Sequence, residues 1–234
     1  MTSGQPLGRS VAVLPVGAEG LLLEVADLDG VLALEAALRP AVEGDRSGPW
    51  AEVTDVVPAA RTVLLLTRDG ADLAALRSAV AALLDSVRAS DGSALVPAPT
   101  TAGSSHDVEI AVRYDGPDLD DVATLTGLSR AEVVAAHTGT PWRVAFGGFA
   151  PGFAYLVGGD PRLRVPRRDR PRASVPAGAV GLAGEFSGVY PRSSPGGWQL
   201  LGTTDAALWD VDRDPPALLR PGTTVRFVDT ERLP

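Results

Sequence analysis

Three segments between residues 146 and 202 decide the reading of this chain. They are Phe146-Gly-Gly-Phe149-Ala-Pro151-Gly152-Phe153-Ala-Tyr155-Leu156, Pro166-Arg-Arg168-Asp-Arg-Pro-Arg172 and Val189-Tyr190-Pro-Arg-Ser-Ser194-Pro-Gly196-Gly197-Trp198-Gln-Leu-Leu-Gly202. Short apolar runs broken repeatedly by Gly and Pro are the pattern of brief strands joined by tight turns. From Trp142 onward they predict an all-β barrel or closed sandwich, with a final strand over Thr223–Val228. The same segments predict a binding site. Gly permits close backbone approach or positive φ, Pro fixes φ and removes a donor, and aromatic and Arg side chains supply most contact energy at recognition surfaces.

Working outward, residues 91–107 are rich in Ser, Thr, Pro and Gly and read as a linker. The expected organisation is a small α/β domain over 1–92, a linker over 93–107 and a β-barrel domain over 108–234. In the first domain, Val11–Val16 and Leu21–Ala26 read as strands and Val31–Leu38 has helical spacing. Ala51–Val57 and Thr62–Thr67 again read as strands, and Asp72–Arg88 as a helix with Asp69 as its N-cap. The order ββα-ββα predicts an antiparallel sheet with two helices on one face, an α+β arrangement. The second domain opens with a strand over Val108–Tyr114. A short helix follows, capped by Asp118 and closed by Gly127. A second helix starts at the capping box Ser129-Arg130-Ala131-Glu132 and ends near His137.

Composition narrows the function. With 234 residues, 45% of them hydrophobic, the chain can bury a substantial core. It contains no run of eighteen apolar residues, so no transmembrane helix is expected. Met1 to Arg9 lacks the apolar stretch of a signal peptide, and a cytoplasmic location is expected. The absence of cysteine removes disulfides, thiolate nucleophiles and zinc-thiolate sites. All 21 basic residues are Arg. Without Lys the chain can form neither a Gly-Lys-Ser/Thr phosphate loop nor a Schiff base. A net charge of −8 argues against nucleic acid as partner, and this holds for 122–129, which resembles the turn of a helix-turn-helix. Only two His are present, His106 and His137, without metal-ligand spacing, and no metal is expected.

Each candidate site residue has a structural reading beside its functional one. Phe149, Pro151, Gly152 and Phe153 form either a turn with aromatic core plugs or a ligand wall presenting backbone N–H groups and rings. Six arginines, Arg162, Arg164, Arg167, Arg168, Arg170 and Arg172, form either a solvated loop, or a site for a carboxylate or phosphate, or a contact for a partner protein, with Arg168 and Arg172 foremost. Tyr190, Ser194, Gly196, Gly197 and Trp198 form either a β-turn with a core Trp or a stiff loop delivering an indole to a pocket. His137 either ends its helix as a satisfied side chain or lies at the rim of the site as a proton-transfer group. Glu185 is a candidate general base.

The second half resembles the family of 5-oxoprolinase B subunits, also called allophanate hydrolase subunit 1-like, which includes a sporulation kinase inhibitor. The likeness rests on Tyr114-Asp115-Gly116-Pro117-Asp118-Leu119, His137-Thr138, residues 148–156, Pro166-Arg167-Arg168 with Pro171-Arg172, Val175-Pro176-Ala177-Gly178, residues 190–202, and Pro215-Pro216-Ala217-Leu218-Leu219 with Pro221-Gly222. The resemblance implies a cyclophilin-like β-barrel preceded by a small α/β domain. It implies partner subunits of types C and A, and an ATP-using complex that opens 5-oxo-L-proline to L-glutamate, with this chain weak or inactive alone. ATP serves the complex, and the substrate is a small lactam or amide. Inhibition of a histidine kinase and hydrolysis of an allophanate- or urea-type amide are the alternatives that the same resemblance carries. Where the family has Gln-Thr-Gly, this chain has Phe186-Ser187-Gly188, which removes an amide donor and acceptor from the expected pocket.

Overall fold

A computed structural model of the chain describes residues 11–44, 47–89 and 107–232. It divides into two compact units, Met1–Ala102 and Gly103–Pro234. The expected linker lies, except for Asp107, outside the described residues, as do His106 and the segment Met1–Arg9.

The first unit runs β1 (Ala12–Val16), β2 (Gly20–Glu24), α1 (Leu28–Gly44), β3 (Val53–Pro58), β4 (Thr62–Thr67) and α2 (Leu73–Ala89). This is the ββα-ββα order expected. The sheet order is β1-β2-β4-β3, with every neighbouring pair antiparallel. Alternation along the strands sets one buried row: Leu21 lies opposite Leu65 and Leu23 opposite Val63, all of them buried. The helices answer with buried rows at helical spacing, Val31, Leu34 and Leu38 on α1 and Leu76, Val80 and Leu84 on α2. The N-cap of α2 is Asp72 rather than Asp69. Its Oδ1 accepts the backbone N–H groups of Ala74 and Ala75 at 3.0 Å each. A capping oxygen must reach the N2 and N3 amides, and Asp69 stands too far before a helix that begins at Leu73.

The second unit is mainly β. It runs β5 (Asp107–Val112), α3 (Leu119–Thr126), α4 (Arg130–Gly139), β6 (Trp142–Gly147), β7 (Ala154–Val157), β8 (Arg172–Val175), β9 (Ala179–Ala183), β10 (Phe186–Val189), β11 (Ser194–Gly196), β12 (Gln199–Thr203) and β13 (Thr224–Asp229). Seven strands form one sheet in the order β12-β9-β10-β7-β6-β13-β5, and β8 pairs with β11 in a separate ribbon. Strand β13 is antiparallel to β6 and parallel to β5. The two ends of the sheet meet where Arg113 and Thr203 exchange both backbone hydrogen bonds, at 2.8 Å each, so the sheet wraps into a nearly closed barrel. Two of the expected helix ends are present. Gly127 takes left-handed φ at the end of α3, and Ser129 and Glu132 form a complete capping box before α4. Among the described residues no helix is long and apolar enough to cross a membrane.

Period-two alternation gives the barrel wall two apolar faces. Ala154, Leu156, Val180, Leu182 and Leu201 join the interior core with Ile110, Val144 and Phe227. Their neighbours Phe153, Ala179, Ala183 and Leu200 belong to a second cluster with Tyr190 and Trp198. A strand polar on one side could not do this, and it explains why β9 and β12 are almost wholly buried. The closing seam leaves no room for side chains. A Cβ on Gly202 would collide with the Arg113 carbonyl, and one on Gly116 with the backbone at Leu200–Gly202. Gly202→Ala is therefore expected to lower stability by about 2–3 kcal/mol, because the obstacle is backbone and must be pushed aside. Chemical denaturation checks this against Gly139→Ala, whose Cβ meets nothing within 4 Å.

Candidate functional site

Asp118 is the centre of the site. Residues 116–118 run beside β12, with Gly116 N–H donating to Leu201 O at 3.0 Å and Asp118 N–H to Leu200 O at 3.1 Å. This backbone track carries the Asp118 carboxylate indoors, where its side chain is 2% exposed. It was expected to cap α3, yet it makes no side-chain cap bond. Its Oδ1 accepts from Arg168 Nη1 and, at 2.7 Å, from Arg172 Nη2, and its Oδ2 accepts from the Leu200 N–H at 2.7 Å. A buried carboxylate is tolerated only with strong donors, and charged guanidiniums outcompete neutral amides for it. Two guanidiniums against one buried carboxylate leave positive charge at short range. Asp121, exposed and 3.9 Å from Arg168, offsets it weakly.

This cluster is not saturated. Arg168 Nε, Arg172 Nη1 and Gln199 Oε1 are buried atoms without a hydrogen-bond partner, three of five such side-chain atoms among the described residues. Folded proteins rarely leave such atoms unpaired, so their concentration here makes the cluster a candidate ligand site. Gln199 follows Trp198 directly, and its Nε2 donates to Pro166 O at 3.2 Å.

Aromatic rings form a wall beside the guanidiniums. Phe153 makes edge contacts with Phe149, Tyr190 and Trp198 at centroid distances of 5.3, 5.4 and 5.4 Å. Tyr155 links Trp198 to Phe186 and stacks on Phe146 at 4.5 Å. The ribbon of β8 and β11 joins wall to cations. Gly196 pairs with Arg172, and a Cβ on Gly196 would strike the Tyr190 ring. Arg168 N–H donates to Gly197 O at 2.8 Å. Burial pushes the Tyr190 phenol above its usual range, while Arg167 and Arg172 pull it the other way. Ser194 is half-buried on the ribbon, its hydroxyl 3.4 Å from Arg192 O. Phe149 is 59% exposed and has φ of 69°. A bulky side chain in the left-handed region carries backbone strain of about 1–3 kcal/mol, a feature that clusters at functional sites. Pro151 is exposed beside it. Gly152, at φ 82°, lies against Leu208–Trp209, where a Cβ would come 2.8 Å from that of Trp209.

Three expectations are corrected. First, the 147–153 turn does not offer its backbone donors freely. The N–H groups of Gly148, Ala150 and Phe153 donate to Phe153 O, Gly148 O and Ala150 O within the turn. The turn therefore contributes rings rather than an amide nest. Second, His137 is not at the rim. It is fully buried and stacked on Phe227 at 4.3 Å. Tyr114 Oη lies 2.7 Å from Nδ1 and Ser187 Oγ 2.9 Å from Nε2. Burial pushes its pKa down to about 3, so the ring is neutral, donating through one nitrogen and accepting at the other. Tyr114 is pushed above its usual range, first by burial and then by Asp229. Third, Glu185 does not face the guanidiniums of the cluster. It pairs with Arg164 at 3.0 Å, and both line a separate cleft of about 240 Å³ together with Trp142. Neither candidate proton-transfer residue is thus brought to the Asp118 cluster. Phe186 lies edge-on to Phe146 and Tyr155, filling the wall where an amide was expected from the resemblance. Arg162 pairs with Asp160 and stands apart from Asp118. Asp118 and Gln199 are the residues that sequence reasoning missed. Asp118 sits inside the quoted Tyr114–Leu119 motif, which was a signal, and Gln199 is an isolated polar residue in an apolar strand.

Comparison with known proteins gives a consistent picture. The sequence profile described as carboxyltransferase domain, subdomain C and D, matches residues 11–219. Over 124 residues the chain is 51% identical to the 5-oxoprolinase B subunit of Bacillus subtilis (strain 168), a match covering 52% of this chain and 52% of that protein. It is 52% identical over 124 residues to the 5-oxoprolinase B subunit of Escherichia coli O157:H7, covering 52% and 57%. The chain thus spans about half the length of the curated relatives it matches. The crystal structure of TTHA0988 is similar with a TM-score of 0.67 at 37% identity, over 92% of this chain and 40% of that one.

Two outcomes are expected. Asp118→Ala should destabilise the second unit by about 3 kcal/mol, less than a fully enclosed pair would cost because both guanidiniums keep some water contact, and Asp118→Asn should cost less. Thermal unfolding of the variants measures this. For His137, the folded-state pKa lies below the unfolded value near 6.5, so the unfolded state binds the extra proton. Its contribution is complete above about pH 6.5 and is lost as pH falls toward 3, at up to about 1.4 kcal/mol per pH unit. Denaturation curves between pH 4 and 7 should show this slope, and His137→Gln should lack it.

Proposed function

This chain belongs to the carboxyltransferase domain family, subdomain C and D, and from that premise we propose that it is the B-type subunit of an ATP-dependent 5-oxoprolinase. In this reading it binds the lactam substrate and works with C-type and A-type partner subunits in the cytoplasm, with little activity alone. The observation that carries the reading is the Arg168–Arg172 pair held over buried Asp118, with unpaired donors beside an aromatic wall. The substrate, 5-oxo-L-proline, is a small flat ring bearing a carboxylate. A guanidinium pair suits the carboxylate, and ring edges and faces suit the lactam. The relatives named as B subunits of 5-oxoprolinase supply the substrate class.

The residues present offer ATP no phosphate loop. The chain has no Lys, and the Gly-rich turn at 147–153 spends the N–H groups of Gly148, Ala150 and Phe153 on itself. The nucleotide is assigned to another subunit. There it would activate the lactam carbonyl, a stable amide that water attacks slowly. The work proposed for this chain is binding and orientation. Arg168 and Arg172 hold the carboxylate, Tyr190 and Trp198 stiffen the wall behind them, and Phe149 and Pro151 shield the ring from water. Asp118 keeps both guanidiniums ordered before substrate arrives, which lowers the entropy cost of binding.

Purification with C-type and A-type subunits, followed by measurement of ATP-dependent glutamate release, tests this. The complex should release glutamate only with ATP. Arg172→Ala should lower kcat/KM by about tenfold to a hundredfold, as expected for loss of a charged hydrogen bond. Arg162→Ala, which removes a surface pair with Asp160, should not. No release from the full assembly, beside an active control complex, overturns the assignment. Release unaffected by Arg172→Ala overturns the site.

A further inference from the structure

We propose that Trp209 and Val211 form a preformed knob that docks into another polypeptide, one offering an apolar socket edged by Arg or Lys. The knob is the tip of the loop 207–217. Trp209 is 42% exposed and Val211 77%, among the few large apolar side chains left in water. Such residues are ordinary when scattered, but these two share one loop. The turn that carries Phe149 rests on the Leu208–Trp209 backbone through Gly152. Trp is foremost among the residue types that dominate binding energy at protein interfaces.

Rigidity separates this loop from a solvated one. Leu208 and Leu219 anchor its ends in the barrel core. Trp209 bridges to Ala217, and Leu218 N–H donates to Leu208 O at 2.9 Å. Arg213 points back into the loop and donates to the carbonyls of Ala207, Leu208 and Pro216 at 3.2, 3.3 and 2.7 Å. A guanidinium spent on three backbone carbonyls is an internal staple. It holds the backbone that carries Trp209 in place before any partner arrives, so less entropy is lost on docking.

Charge identifies the occupant. With Arg213 turned inward, Asp210, Asp212 and Asp214 frame the two apolar side chains. They are exposed, and none forms an ion pair among the described residues. A second copy of this chain, at net −8, would bring like charges together. A basic-edged socket would complete the pattern. The matched unit also makes up only 40% of the TTHA0988 chain, so the fold occurs there with further polypeptide. The inference rests on the reading of this chain as one member of a larger assembly, and it assigns the face by which it assembles.

The test uses purified C-type subunit of a 5-oxoprolinase as probe, with affinity measured by calorimetry at low and high salt. The intact chain should bind, more weakly as salt rises. Trp209→Ala should weaken binding about tenfold or more, and Val211→Ser less. Asp212→Arg should weaken binding and flatten its salt dependence. Melting temperatures should stay unchanged; Val211→Ser, at the most exposed position, serves if Trp209→Ala unfolds. Unaltered binding by all three variants overturns the knob and leaves the subunit reading intact. No binding by the unmodified chain overturns the subunit reading and the knob with it. Self-association of the unmodified chain that Trp209→Ala abolishes overturns the basic-edged partner in favour of a second copy.

Discussion

A carboxylate removed from water must be given donors by the protein, and most of the site geometry follows from how Asp118 obtains them. The backbone of 116–118 fixes it beside β12, so the donors have to come to it. Arg168 comes from the loop before β8, Arg172 from the first position of β8, and the Leu200 amide from β12. Three segments remote in sequence are thereby tied at one point. The loop that carries Arg168 is held further by Arg168 N–H on Gly197 O and by Gln199 on Pro166 O. Without the carboxylate, two guanidiniums would face each other and the loop would have every electrostatic reason to swing into solvent. Substrate recognition, as proposed, uses the same two cations that the scaffold has already ordered.

The barrel makes that tie useful by having a second apolar face. Most antiparallel sheets turn one side to the core and one to water. Here alternate residues of β7, β9 and β12 feed an outer cluster as well, and rings from the 149–153 and 190–198 turns cover it. The result is a dry wall next to fixed positive charge. Low dielectric beside a cation strengthens its hold on an anion, which a loop of solvated arginines cannot match. His137 belongs to the other face. It bridges Tyr114 and Ser187 deep in the barrel and keeps those polar groups satisfied, a structural duty for the only histidine among the described residues.

Local patterns were legible wherever local physics decides. Strand alternation, the capping box at Ser129 and Glu132, and the left-handed Gly127 depend on neighbours a few residues away, and the sequence displays them. The same logic erred at Asp69 and Asp118. At Asp69 the helix start was read to within one residue, but the cap was placed too far before it, and the capping oxygen comes from Asp72. At Asp118 a local role was displaced by two charges from fifty residues away. His137 and Glu185 were read by chemical type alone, and type does not reveal burial: one lies in the core and the other on a different cleft. Trp209 and Val211 drew no notice in the sequence, because an apolar residue in a strand-rich segment reads as core.

By itself the sequence determined the class of each half, the ββα-ββα order, the barrel, the family likeness and the three stiff turns, because periodicity and turn chemistry are properties of contiguous residues. Only the tertiary structure decided which arginines share a carboxylate, which histidine is sealed from solvent and which tryptophan faces it. Those outcomes depend on contacts between segments distant in the chain, and on desolvation energies that exist only once the barrel has closed.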